Sequence, residues 1–448
     1  MKTALFFIIA LYSIMLHAAD RPNVILIYSD DQGTFDLNCY GSTDLHTPNL
    51  DKLAQQGVRF TQFYSASSVC SPSRAALLTG CYPHRAGVPN NAESHPTQFN
   101  SGHGLKEEQV TIAEVLKNIG YKTGHFGKWH LGFTPGPNNQ GFDLSVGFMG
   151  GCIDKWSHIN YGQAPWGKEK WHDWYRNGVE EWATGNHSGD LIVDEAIQFL
   201  RDSKESPVFM YLAFGSPHYP LNAYNQYQYL FEHLDEPRRS YAAIMATLDE
   251  QVGRLLQEIE AMGERENTMI IFLSDHGHSN EARNNYGGGN AGHLRGAKVS
   301  LFEGGIRVPA IISWPGHVPQ NQSRNQFAVA CDWLPTIAEF CGAVSLNRKI
   351  DGKSIVSVIQ NNDASPHEFW HWALGDQWAV RRGRWKLLRN VIDTSNGRHR
   401  NTIPGPFLAN LQKDEAEQVN YAEQHPEIVE ALLHLHETWK DEMDASKN

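Results

Sequence analysis

Three stretches of this chain run apolar without a break and then stop on ionisable residues. "NVILIYSDDQG" is apolar from Val24 to Tyr28 and ends on Asp30 and Asp31, "TMIIFLSDHGH" ends on Asp275 and His276, and "PVFMYLAFGSPHYP" ends near His218. A strand with one wet face alternates polar and apolar side chains. A continuous run rich in β-branched and aromatic residues needs both faces covered, as in a parallel sheet packed between helices. The shorter "KTGHFGKWHLG" delivers Lys128 and His130 in the same way. Helical signals lie between these runs. "TPNLDKLAQQG" offers Thr47 as a cap, Pro48 in the first turn and Gly57 as a stop, "TIAEVLKNIG" has the Thr111 and Glu114 spacing of a capping box, and a longer helix is expected over Tyr241 to Met262.

The predicted fold is therefore α/β, a large mixed and mainly parallel sheet sandwiched by helices. Ligands of such sheets bind beyond the carboxyl ends of the strands. One polar cluster could simply mark a strand leaving the core, but four at four strand ends predict a shared site. After about Ala343 the texture changes: "FWHWALGDQWAVRRGRWKLLRN" alternates as antiparallel strands do, and "HPEIVEALLHLHETWKDEM" reads as an amphipathic closing helix. The expected organisation is a catalytic domain over residues 20–343 and a smaller α+β subdomain over 344–448. Residues 1–19 read as a secretory signal peptide, with Lys2, the apolar "ALFFIIALYSIML" and a small residue at Ala18 or Ala19. The apolar run falls short of the roughly twenty residues that span a bilayer, so an exported chain, periplasmic or secreted and without stable membrane insertion, is expected.

The formal net charge of −12 argues against a nucleic-acid surface. Export permits disulfides among Cys39, Cys70, Cys81, Cys152, Cys331 and Cys341, and no spacing selects a pairing. Asp30, Asp31 and Asp275 would repel one another without a cation, and oxygen-rich ligation favours Ca²⁺ or Mg²⁺. An exported protein meets calcium more often; His276, an unusual ligand for so hard an ion, leaves zinc or manganese open.

Cys70 precedes "PSRAALLTG", where Pro72 can open a helix whose amino terminus attracts anionic charge. A thiol of low pKa, or half of a disulfide with Cys81, would also suit this position. The string Cys70-Ser71-Pro72-Ser73-Arg74-Ala75-Ala76-Leu77-Leu78-Thr79-Gly80 resembles the signature of the type I sulfatases of the alkaline phosphatase superfamily. "GYKTGHFGKWHLG", "GSPHYP", "SDHGH", "LRGAKVSLFEGGIRVPAIISWPG" and "RRGRWKLL" resemble further family blocks in the family's order.

The resemblance implies that a maturation enzyme oxidises Cys70 to formylglycine. It implies that Asp30, Asp31, Asp275 and His276 bind the metal together with residue 70, although asparagine is commoner in the family where His276 stands. Arg74 would stabilise residue 70, and Lys128 and Lys298 would grip the sulfate. His130 would act on residue 70 as a base and His218 on the leaving oxygen as an acid. The hydrated aldehyde explains the need for a thiol precursor: one hydroxyl attacks sulfur, and the other, once deprotonated, expels sulfate by C–O cleavage. A serine could take the sulfate but not release it this way.

Substrate choice falls to loops outside the shared blocks, with Asp154, Trp156, His158, Arg283 and His293 as candidate contacts. Their acids, histidines and aromatics suit a sugar ring better than a flat aryl group, so a sulfated polysaccharide or oligosaccharide is expected, with galactose-type or amino-sugar sulfates favoured. A phosphonate or phosphate ester hydrolase is the alternative enzyme; a carbohydrate-binding protein with unoxidised Cys70 is the non-enzymatic one.

Overall fold

A computed structural model describes residues 21–92, 104–160, 170–343 and 348–445, and the expected signal peptide lies outside them. The strands of its two main sheets are numbered in chain order. The large sheet comprises β1 (Asn23–Asp30), β2 (Val58–Phe60), β3 (Lys122–Lys128), β4 (Leu144–Phe148), β5 (Tyr175–Arg176), β6 (Val179–Glu180), β7 (Val208–Pro217), β8 (Thr268–Ser274), β9 (Ala310–Ser313) and β10 (Gln322–Arg324). They lie in the order β10-β2-β9-β8-β1-β7-β3-β4-β5-β6. The central block from β8 through β1, β7 and β3 to β4 is parallel throughout, and antiparallel pairings occur only toward the edges. The three long apolar runs are thus adjacent strands, β8, β1 and β7, and their polar ends emerge together.

Burial on both faces accounts for the lack of alternation. Val24, Leu26 and Tyr28 enter one apolar core, while Ile25 and Ile27 enter the other. The first core includes Ala75, Leu77 and Leu78 of helix α2 (Cys70–Thr79) and Ile112, Ala113 and Leu116 of α3 (Ile112–Lys117). The second includes Leu50 and Leu53 of α1 (Pro48–Gln55), Ile192 and Val193 of α4 (Ser188–Asp202), and much of α5 (Arg238–Ala261). Truncating Ile25 or Ile27, both without exposed surface, to alanine would cost about 2–5 kcal/mol.

The Thr111–Glu114 capping box forms: the Glu114 amide donates to Thr111 Oγ1 at 3.3 Å, and the Thr111 amide to Glu114 Oε2 at 2.7 Å. The expected Thr47 cap does not. Thr47 Oγ1 turns to Asn38 instead, donating to Oδ1 at 2.7 Å, while Asp249 of α5 accepts the Asn49 and Leu50 amides at 3.0 and 2.8 Å. A carboxylate from another helix outcompetes the local hydroxyl because it satisfies two orphan amides at once.

The C-terminal region forms the expected antiparallel sheet, β11 (Phe369–Leu374), β12 (Gln377–Arg382), β13 (Trp385–Arg389) and β14 (Phe407–Asn410), followed by helix α6 (Pro426–Ala445). Trp372 Nε1 donates to the Ser65 carbonyl at 2.8 Å and Gln377 Nε2 to that of Val299 at 2.7 Å, so this sheet is anchored to connecting segments around the larger one. All six cysteines are free thiols. Cys70 opens α2 and Cys81 lies beyond its far end, so about 15 Å of helix separates them and no bridge can form. No helix among the described residues is long and apolar enough to cross a membrane.

Candidate active site

The site forms where β1 and β8 end and α2 begins. Val69 is extended and Cys70 is the first helical residue, so the thiol stands at the helix amino terminus, with the Ser71 amide capped by Asn91 Oδ1 at 3.0 Å. Sγ lies 3.7 Å from Asp30 Oδ1 and 3.3 Å from His276 Nε2. His276 Nδ1 donates to the Gly277 carbonyl at 2.9 Å, which leaves Nε2 facing Asp31 Oδ1 at 3.4 Å and Asp275 Oδ1 at 3.5 Å. Ligand-type atoms of Asp30, Cys70, Asp275 and His276 lie within 4.8 Å of one another, as do those of Asp30, Asp31, Cys70 and His218. Asp31 Oδ2 is buried and accepts no hydrogen bond among the described residues. Converging acids, an imidazole oriented through its other nitrogen and an unsatisfied carboxylate oxygen together fit a divalent cation.

Three cations answer the three acids. Lys128 Nζ lies 2.6 Å from Asp30 Oδ2, Lys298 Nζ lies 2.7 Å from Asp31 Oδ1, and Arg74 Nη2 donates to Asp275 Oδ2 at 3.1 Å. The Arg74 guanidinium also stands 5.1 Å over the Tyr28 ring. Its polar contacts are with the carboxylates, the Lys128 carbonyl and the Tyr211 hydroxyl. Gly127, one residue before Lys128, has φ +109°, and a Cβ there would stand 2.1 Å from the Ala213 carbonyl oxygen. Only glycine lets β3 approach β7 this closely. Lys298 is held from the C-terminal region: Thr394 Oγ1 accepts the Ala297 amide at 2.9 Å, and Gln377 grips Val299 from the other side.

The field of this cluster moves its ionisable groups in opposite directions. Burial would raise the Cys70 thiol, but Lys128 and Lys298 outweigh it and bring the thiol down to about 5. Burial likewise opposes ionisation of Asp30, yet Lys128, His218 and Arg74 hold it well below the carboxylate range. Asp31 and Asp275, for which burial prevails, rise to about 7 and about 6. His276 goes up to about 9, because Asp275 and Cys70 overcome the cost of burying its charge. His130 and His218 fall well below the usual histidine value, from burial first and then from Lys128 and Lys298 respectively. Both shifts favour the neutral imidazole.

His130 has φ 52°, and its Nδ1 has no hydrogen-bond partner among the described residues. His218 Nδ1 donates to the Tyr219 carbonyl at 2.8 Å, so its free Nε2 faces inward, 3.5 Å from Asp31 Oδ2. His130, His218 and Lys298 keep 6%, 4% and 4% exposure while Asp30, Asp275 and His276 keep none. The first three therefore border the opening and the others form the floor.

The candidate substrate contacts scatter. Arg283 lies at the rim, 4.8 Å over the Tyr219 ring, which stands 4.2 Å from that of His218. Trp156 is 38% exposed, with its edge on His187 at 5.0 Å. Asp154 turns inward, its Oδ1 accepting from the Trp156 and Ser157 amides at 3.1 and 2.8 Å. His158 has no exposed surface; it stacks on Trp174 at 4.9 Å and shapes the loop from within instead of lining the opening. His293 is half exposed and meets Glu415 at 3.1 Å. Residues 162–169 of the loop "GQAPWGKEKWHDWYRNG" lie outside the described residues. Sequence reasoning passed over Lys155, buried beneath His218. An isolated lysine with no acidic partner in register carries no signal that separates it from a solvated one.

The family described as Sulfatase matches residues 22–343, and that described as N-sulphoglucosamine sulphohydrolase, C-terminal, matches residues 296–441. Human arylsulfatase A is 33% identical, the match covering 96% of this chain and 90% of that protein. The N-acetylgalactosamine-6-sulfatase of Rattus norvegicus is 32% identical over 82% of this chain and 71% of its own. Among solved structures, Ps i-CgsB in complex with k-i-k-neocarrahexaose superposes with a TM-score of 0.82 at 30% identity, covering 94% of this chain and 92% of that one. With a family match across most of its length and a human relative this similar end to end, the chain belongs to the sulfatases of the alkaline phosphatase superfamily and is a sulfuric ester hydrolase.

Proposed function

We propose that the protein is exported to the periplasm or secreted, and there removes sulfate from sulfated polysaccharide or oligosaccharide after a maturation enzyme converts Cys70 to formylglycine. Galactose-type or amino-sugar sulfates are the favoured substrates. The observation that carries this reading is the convergence of Cys70, at a helix amino terminus, with three acids and His276 between Lys128 and Lys298. Relatives named for an amino-sugar sulfate and a neighbour holding a carrageenan-type oligosaccharide support the substrate class.

Asp30, Asp31, Asp275, His276 and residue 70 would hold one divalent cation, with calcium favoured by the oxygen-rich set. When bound, such an ion supplies positive charge against oxygen atoms that become more negative during the reaction. The hydrated aldehyde at residue 70 supplies one hydroxyl to attack sulfur and a second whose deprotonation expels the sulfate. Lys128 and Lys298 grip the sulfuryl oxygens, and Arg74 keeps Asp275 aligned. His130, neutral and with a free ring nitrogen, takes the proton from residue 70. His218 presents Nε2 to the leaving oxygen. His218 is depressed by burial first and by Lys298 second, and an anionic sulfate seated against Lys298 would offset the second of these, toward the protonated, acid form.

Side-by-side kinetics on N-acetylgalactosamine 6-sulfate, sulfated galactose oligosaccharides, aryl sulfates and matched phosphate esters test this reading. Turnover should be highest on the sulfated sugars. A preference for phosphate would make the enzyme a phosphoester or phosphonate hydrolase, turnover confined to flat aryl sulfates would overturn the sugar assignment, and sugar binding without turnover by fully modified protein would make it a carbohydrate-binding relative.

A further inference from the structure

Lys155 keeps 2% exposure, and its Nζ donates to the carbonyls of His218 and Pro220, both at 2.9 Å. Among the described residues it forms no ion pair. A buried ammonium without a carboxylate costs free energy unless its protons meet strong acceptors in fixed geometry. Here two of them clamp one turn of backbone. The lysine is itself held at both ends of its peptide unit: its amide donates to Asn222 Oδ1 at 3.2 Å, and its carbonyl accepts the Ser188 amide at 2.7 Å, in the first turn of α4. His187, which caps that helix, bonds through Nε2 to the Asn222 carbonyl at 2.9 Å. The turn from His218 to Asn222 is thus tied to the amino terminus of a long helix through Lys155 at His218 and Pro220 and through His187 at Asn222.

We propose that Lys155 is a positioning residue for His218, fixing the backbone from which the imidazole reaches the leaving-group oxygen. The geometry supports this directly. The His218 ring is oriented by a bond to the Tyr219 carbonyl, and Lys155 pins the carbonyls on either side of that one. Releasing both lets the turn relax toward water, and the ring nitrogen that faces Asp31 loses its setting. Displacements of this size matter for proton transfer, which needs heavy atoms within hydrogen-bond reach. Burial also lowers the ammonium, to about 8, in keeping with a group held by dipoles instead of a counter-charge.

The inference rests on the proposed role of His218, and a leaving-group series separates the two. Matured full-length wild type, Lys155→Met, His218→Ala and the double variant would be assayed on aryl sulfates of graded phenol acidity and on N-acetylgalactosamine 6-sulfate. A general acid matters little for an acidic phenol such as 4-nitrophenol and much for a sugar alcohol. Lys155→Met should lose about 10–100-fold more kcat/KM on the poorest leaving group than on 4-nitrophenyl sulfate, with KM nearly unchanged. His218→Ala should show the same steepening, and the double variant should add little. Should Lys155→Met fail to fold, Lys155→Gln, which keeps an N–H donor, carries the test with an intermediate slope. Equal loss across the series for a folded Lys155 variant would overturn the positioning role. A flat series for His218→Ala would remove the acid role beneath it, and a wild type inactive on every sulfate would reject the sulfatase reading and the inference with it.

Discussion

Two buried clusters of charge, one at the strand ends of the large sheet and one bridging to the C-terminal sheet, are built to different ends. In the first, Asp30, Asp31 and Asp275 face Lys128, Lys298 and Arg74, with Cys70 and His276 in their midst. In the second, Lys386 Nζ sits between two glutamates, 2.9 Å from Glu303 Oε1 and 3.1 Å from Glu417 Oε1, and Tyr64 donates to Glu303 at 2.6 Å. In the second, both glutamates face the one lysine, and the cluster ties β13 to the segments that carry Tyr64 and Glu303. The first leaves ligand-type atoms of several residues converging on a common point. Burial alone therefore does not mark function; where the donor atoms point does.

The titration behaviour repeats the contrast. Burial pushes Glu417 up to about 7, with Lys386 opposing, whereas Lys386 and Arg381 hold Glu303 down despite its burial. Lys386 is shared between two buried carboxylates, and Arg381 and Arg307 add their charge at Glu303, so the two move in opposite directions. In the catalytic cluster the same physics brings a thiol down and an imidazole up.

Cys70→Ser should break function without touching structure. Turnover should fall by about 10⁴-fold or more, while the melting temperature stays within about 2 °C of wild type. Loss of activity with loss of fold would assign Cys70 to the scaffold. Lys386→Met should do the reverse, leaving Glu417 without its lysine and Glu303 with only the nearby arginines, at a cost of about 3–5 kcal/mol in a urea melt. A smaller change would mean that water reaches the cluster.

Calcium should distinguish the two clusters next. At a hundredfold excess over its dissociation constant it should stabilise wild type and Lys386→Met alike, by about 2.7 kcal/mol, and Asp275→Asn much less. Stabilisation of Asp275→Asn equal to wild type would move the cation elsewhere.

The smallest effect is a pH dependence. Glu417 has a folded pKa above its unfolded value, so its contribution to stability is full below the unfolded pKa near 4.5 and is lost as pH rises through about 7. Glu417→Gln mimics the protonated acid. Its melting temperature relative to wild type should be near zero difference at pH 5 and higher by about a few °C at pH 8. A difference independent of pH would show that Glu417 stays ionised.

The sequence made the central sheet readable because burial on both faces leaves an unbroken apolar run, and strand ends then announce where polar side chains gather. Lys128, His130, Asp275 and His276 could be found this way. The partners that set their geometry could not, since they come from distant segments. Asp249 caps a helix from 200 positions away, Thr394 holds the segment before Lys298 from the C-terminal region, and Lys155 supports a turn more than sixty residues on. Periodicity records that a side chain is buried and is silent about which neighbour satisfies it. His158 is the converse: a histidine among aromatics reads as a sugar contact, yet its surface is wholly consumed by Trp174 and its own loop.

Peptide mass spectrometry of the tryptic fragment that ends at Arg74, from protein made together with a formylglycine-generating enzyme, is the most direct test of the catalytic assignment. Residue 70 should carry the mass loss that replaces the thiol by an aldehyde, in proportion to sulfatase activity across preparations. Full activity in protein whose Cys70 remains an unmodified thiol would contradict it.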